Sequence, residues 1–163
     1  MNEALAEAER ALAAGEFPVG CVLVRDGRVL ARGHRENSHG THFNELDHAE
    51  VVTLRDLLRR QPDLDCATLT LYSTMEPCLM CYATMLLSGI RSFVWAYEDV
   101  MGGGTSLELG RLRPLYAGME VDVRGRVLRE RSLRLFARFF RTRSYWQDSL
   151  LARYTLEQAE DLP

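Results

Sequence analysis

Lysine is missing from this 163-residue chain, so every basic side chain is an arginine. That uniform usage weakens any argument that an individual arginine was placed to grip a phosphate. Cysteine is scarce, at four residues. A chain long enough to bury most of its apolar surface needs no disulfide framework, and these thiols do not read as one. No run of about 18 apolar residues occurs, which excludes a membrane-spanning helix. Repeats, low-complexity tracts and linkers are also lacking, so residues 1–163 read as one domain with a helical tail from about residue 142. The opening stretch "MNEALAEAERALAAGEF" has neither the basic start nor the apolar centre of a signal peptide. A cytoplasmic protein is expected.

What charge there is lies unevenly. The net charge is −3, yet residues 111–143 hold ten arginines against Glu120, Asp122 and Glu130. Such a stretch reads either as a solvated helix face or as a contact for a phosphate backbone.

Periodicity orders the chain. Ala4, Leu5, Ala8 and Leu12 share one face of a first helix that Gly15 closes. "FPVGCVLV" and "RVLARG" flank Asp26-Gly27, a strong hairpin signal. Residues 34–47 have no period and read as a loop. Val51, Val52, Leu54, Leu57 and Leu58 then recur at helical spacing before Pro62. "ATLTLYS" (residues 67–73), "IRSFVWAY" and "MEVDVRG" read as strands, and "LMCYATMLLSG" as a helix between the first two. A turn of helix is expected near residues 106–110, and Leu128, Leu133, Phe136, Phe139 and Phe140 mark a long amphipathic helix. Helices alternating with strands in this way predict an α/β fold: a three-layer α/β/α sandwich around a mixed, mostly parallel, five-stranded sheet.

Two segments concentrate the chemistry: "DHAE" at residues 47–50 and "MEPCLMCYATM" at residues 75–85. In a parallel sheet, helices begin at the carboxyl ends of strands, where ligands gather. His48 would stand at one such helix start, and Cys78 and Cys81 in the first turn of the next, with Pro77 at the first helical position. Thiols at a helix N-terminus favour the thiolate, the form a metal binds. A C-x-x-C pair alone is also a redox motif, and a lone His or Glu in a first turn is unremarkable. Together, one His and two Cys form a zinc site of the catalytic pattern, with a fourth position for water or hydroxide. Glu50, two residues beyond His48, is placed to carry protons for a hydrolysis. A non-catalytic zinc or redox module is the rival class, and it has no use for Glu50 there.

"His48-Ala49-Glu50" followed by "Pro77-Cys78-Leu79-Met80-Cys81" resembles the zinc-dependent cytidine and deoxycytidylate deaminase superfamily. "FPVGCVLV", "HAEVVTLR" and "LYSTMEPCLMCYATMLLSGI" are most similar to the branch holding tRNA adenosine deaminase, guanine deaminase and fungal-type cytosine deaminase. The resemblance covers about residues 1–100. It implies His48, Cys78 and Cys81 as ligands of one Zn2+ and Glu50 as proton shuttle. It also implies Asn37, the Ala49 N–H and the Glu76 carbonyl as base-binding groups. A homodimer follows from the family's habit. The aromatic tail "FFRTRSYWQDSLLARY" is similar to segments that cap small-base pockets, with Phe139, Tyr145 and Trp146 as the expected cap. The acidic loop "YEDVMGGGTS" stands where tRNA deaminases usually carry a basic residue. The expected reaction is hydrolytic deamination of a nucleobase or nucleoside, with wobble adenosine in tRNA as the alternative.

Overall fold

The computed structural model describes residues 1–160. Helix α1 (Asn2–Ala13) leads into the hairpin of β1 (Gly20–Arg25) and β2 (Arg28–His34). Asp26 and Gly27 at its tip both have positive φ, at 50° and 74°, as the tight hairpin turn requires. A polar loop then delivers the chain to α2 (Ala49–Arg60), followed by β3 (Thr70–Met75), α3 (Leu79–Leu87) and β4 (Ser92–Tyr97). Short α4 (Pro114–Ala117), edge strand β5 (Asp122–Arg124), α5 (Arg129–Thr142) and α6 (Leu150–Glu160) complete it.

The sheet order is β2-β1-β3-β4-β5. Strand β1 runs antiparallel to both neighbours, while β3, β4 and β5 are mutually parallel. It follows that β2 points the same way as β3 and β4. The connections leaving β2 and β3 therefore emerge at one edge of the sheet, and α2 and α3 both start from that edge. Helices α1 and α5 cover one face, with α6 against α5, and α2 packs on the other face beside α3. Gly20 permits the close approach of α1: a Cβ there would overlap the Ala4 carbonyl and the Ala8 nitrogen. Phe93, Tyr97, Phe136, Phe139 and Phe140 are fully buried and fill the interior.

The mixed α/β sheet matches expectation, but several boundaries move. Residues 67 and 68 belong to a 3-10 turn, Cys66–Thr68, and not to the strand, because the Asp65 side chain accepts from the Ala67 N–H and curls the chain. Strand β5 is three exposed residues long, since it pairs with β4 alone at the sheet edge. The turn expected near residues 106–110 becomes a 3-10 turn at Leu109–Arg111, and Pro114 opens α4. Pro77 lies just outside α3, whose N-cap is Cys78.

Candidate metal centre and active site

His48 and Cys78 occupy equivalent places, each the N-cap of its helix with extended backbone. Cys81 follows in the first turn of α3 and is buried. The two helix starts bring all three side chains together, with their donor atoms within 4.8 Å of one another. His48 Nδ1 lies 3.5 Å from Cys78 Sγ and 3.5 Å from Cys81 Sγ. A tetrahedral zinc with Zn–N of about 2.05 Å and Zn–S of about 2.3 Å separates its N and S ligands by about 3.5 Å. The donor set and its N–S spacing thus fit zinc. The hydrogen bond from Cys81 pulls the Cys78 thiol down to about 4, against burial and with further help from His48. The Cys81 thiol is pushed up by that same bond, by burial and by the nearby Glu50 charge. The arrangement thus favours the thiolate at Cys78, the form a metal binds.

Glu50 is in the first turn of α2 and is buried. Ser73 Oγ donates to its Oε1 at 2.9 Å, and the Cys81 thiol contacts its Oε2 at 3.4 Å. Burial, reinforced by the charge of Cys78, raises the Glu50 carboxyl above its ordinary value, with His48 opposing. A carboxyl lifted toward neutrality is suited to taking and returning protons.

These groups open onto a cavity of about 300 Å³, enough for one planar base. Ala49 and Glu76 both line it. Ala49 is the first residue of α2, so its N–H has no partner within the helix. The Glu76 carboxylate turns away and accepts from the Thr105 hydroxyl and from the backbone N–H groups of Asp99 and Thr105, which fastens the glycine-rich loop. Gly103 in that loop leaves no space for a side chain beside Glu76.

Tyr145 and Trp146 form part of the cavity wall, whereas Phe139 lies behind it, its ring 6.2 Å from that of Tyr145. Asn37 does not line the cavity: its amide donates to Asp47 Oδ2 at 2.8 Å. Ser73, Arg35, Glu45 and Asp99 complete the site and escaped the sequence reading. Ser73 lies in β3 beside Thr70 and Thr74, so residue type alone does not single it out. Arg35 and Glu45 sit in an aperiodic loop, where spacing says nothing about facing.

Residues 1–97 match the family described as the cytidine and deoxycytidylate deaminase zinc-binding region. The chain belongs to that family. Over 141 residues it is 32% identical to the tRNA-specific adenosine deaminase of Bacillus subtilis, covering 86% of each chain. It also superposes on a solved tRNA:A34 deaminase with a TM-score of 0.71 and 29% identity, over 83% of this chain and 96% of that one. A guanine deaminase from Nitrosomonas europaea shares the fold, with a TM-score of 0.67 at 18% identity over 85% and 81% of the two chains. This family member is accordingly a hydrolytic deaminase, and its cofactor is one zinc ion.

Proposed function

We propose that this deaminase converts adenosine to inosine in tRNA, at the wobble position. The observation that carries the chemistry is the convergence of His48, Cys78, Cys81 and buried Glu50 on one base-sized cavity. The likeness to tRNA-acting relatives supports the substrate, since it spans most of both chains. It moves tRNA ahead of the free base or nucleoside that the sequence alone ranks first. Beside the cavity, a second one of about 220 Å³ is lined by Ser38, His39 and Arg143 and shares the Tyr145 wall. Arg143 supplies a cation there for a phosphate next to the reacting nucleotide, while Ser38 and His39 are turned to the Glu16 carboxylate.

His48 Nδ1 and the sulfurs of Cys78 and Cys81 would hold the zinc. When bound, the ion supplies Lewis acidity that makes water nucleophilic at neutral pH. Glu50, anchored at Oε1 by Ser73, accepts a proton from the attacking water and passes it to the ring nitrogen N1. It carries a second proton to the exocyclic amine. A C6–O bond replaces the C6–N bond, and ammonia leaves. The Ala49 N–H and the Glu76 carbonyl hold the base edge, while Tyr145 and Trp146 offer it an aromatic wall.

A free-base or nucleoside substrate is the second reading, favoured by that aromatic wall. Incubating the zinc-loaded chain with an anticodon stem-loop, free bases and nucleosides separates the two. Inosine in the stem-loop supports the tRNA reading, and ammonia from small substrates alone overturns it.

A further inference from the structure

His48 offers Nδ1 to the cysteines, which leaves Nε2 to face the carboxylate of Glu45 at 3.7 Å. An imidazole that gives one nitrogen to a metal carries its proton on the other, and a carboxylate facing that N–H, here just beyond hydrogen-bond length, favours that tautomer and ring orientation electrostatically. Glu45 is itself held at both oxygens. The Tyr145 hydroxyl donates to Oε1 at 2.9 Å, and Arg35 Nη2 donates to Oε2 at 3.1 Å. Arg35 is buried and also donates to the carbonyls of Glu36 and Asn44, so this end of the relay is rigid. Tyr145 comes from the segment between α5 and α6, a hundred residues along the chain, and its ring packs on Phe17 and Phe139.

We infer that Glu45 is a positioning residue for the metal centre, and that Tyr145 holds it there, so that docking of the segment between α5 and α6 governs how tightly zinc is retained. The inference rests on the assignment of His48 as a zinc ligand. Residue 145 then does two things at once: its ring walls the cavity, and its hydroxyl sets the carboxylate that orients His48. Loss of the segment would loosen the metal as well as open the pocket. Glu45→Gln removes the charge that faces Nε2 and leaves a single acceptor oxygen, which serves Arg35 or Tyr145 but not both. Tyr145→Phe keeps the aromatic packing and removes only the hydroxyl.

The test is zinc affinity of the full chain, measured by competition with a chromophoric chelator, in both variants and in the double variant. Glu45→Gln should weaken zinc binding about 10- to 100-fold, the usual effect of losing a partner behind a ligating histidine. Tyr145→Phe should weaken it roughly three- to tenfold, the scale of one hydrogen bond. Because both act through one carboxylate, the double variant should bind about as weakly as Glu45→Gln alone. A merely structural role for Glu45 would lower the melting temperature of the metal-free chain and leave zinc affinity within twofold of wild type. That outcome, or additive losses in the double variant, overturns the inference. His48→Ala distinguishes the layers: a full equivalent of zinc retained in it would overturn the ligand assignment, whereas zinc lost there but unchanged in Glu45→Gln overturns only the role of Glu45.

Discussion

Glu50 and Ser73 meet because α2 begins, and β3 finishes, at the same end of the sheet, and their contact explains why a buried acid is tolerated. An isolated carboxylate in that position would cost several kcal/mol, whereas a hydroxyl donor and a nearby imidazole offset much of it. If Glu50 carries protons without ligating, Glu50→Gln should keep a full equivalent of zinc and lose about 10²- to 10⁴-fold in deamination rate. Elemental analysis and single-turnover kinetics on one preparation check both halves; near wild-type turnover would place the proton carrier elsewhere. Cys78→Ala and Cys81→Ala make the opposite pattern, with loss of stoichiometric zinc and of activity together. The four residues at the centre were legible in the sequence because their spacing encodes helix starts. Ser73, Arg35 and Glu45 were not, because their facing is set by strand register and by a loop without period.

At the level of elements, the carboxyl-terminal helices are fastened by a charge cluster at the end of β4. Arg129 at the start of α5 donates from Nε and Nη2 to Glu98, Tyr154 from α6 donates to the same carboxylate at 2.7 Å, and Arg126 Nε lies 4.0 Å away. Burial alone would raise the Glu98 carboxyl, but Arg129 and Tyr154 overcome it and hold it near 2, below its ordinary 4.5. A depressed carboxyl stabilises the fold fully above about pH 4.5, and that contribution is lost as pH falls toward about 2. Glu98→Gln should therefore cost about 2 kcal/mol or more at neutral pH, by stranding Arg129. The gap to wild type should narrow as the pH drops through that window, as thermal melts across pH would reveal; a constant gap would mean that the carboxylate charge contributes nothing. The hairpin and the long helices were readable from Asp26-Gly27 and from the apolar stripe on α5. Strand β5 was readable as a strand from the alternation of "MEVDVRG", but its length was not: an edge position with one partner sustains only three paired residues.

For the molecule as a whole, charge distribution bears most directly on a tRNA substrate. Of the ten arginines between residues 111 and 143, Arg129 is committed to Glu98, while Arg138, Arg141 and Arg143 are exposed along the last turns of α5 and just beyond it. Arg143 also reaches the cavity beside the active site, which puts this basic stretch next to the chemistry and not on a remote face. The acidic loop that weighed against tRNA in the sequence resolves into separate tasks. Glu98 clamps Arg129, and Asp99 accepts from the backbone N–H groups of Met101 and Gly102, which shapes the cavity wall. Composition alone could not separate those tasks from a general repulsion of phosphate. The most direct measurement is inosine formation in an anticodon stem-loop by the zinc-loaded chain under subsaturating conditions across a salt series, with ammonia release from free bases and nucleosides followed in parallel. A substrate gripped through six or more phosphates should lose about 10³-fold or more in apparent affinity between roughly 50 and 200 mM salt. A tRNA substrate predicts inosine in the stem-loop, a steep fall with salt, and little ammonia from any small substrate. Salt-independent turnover of a free base or nucleoside, with the stem-loop unchanged, would contradict it.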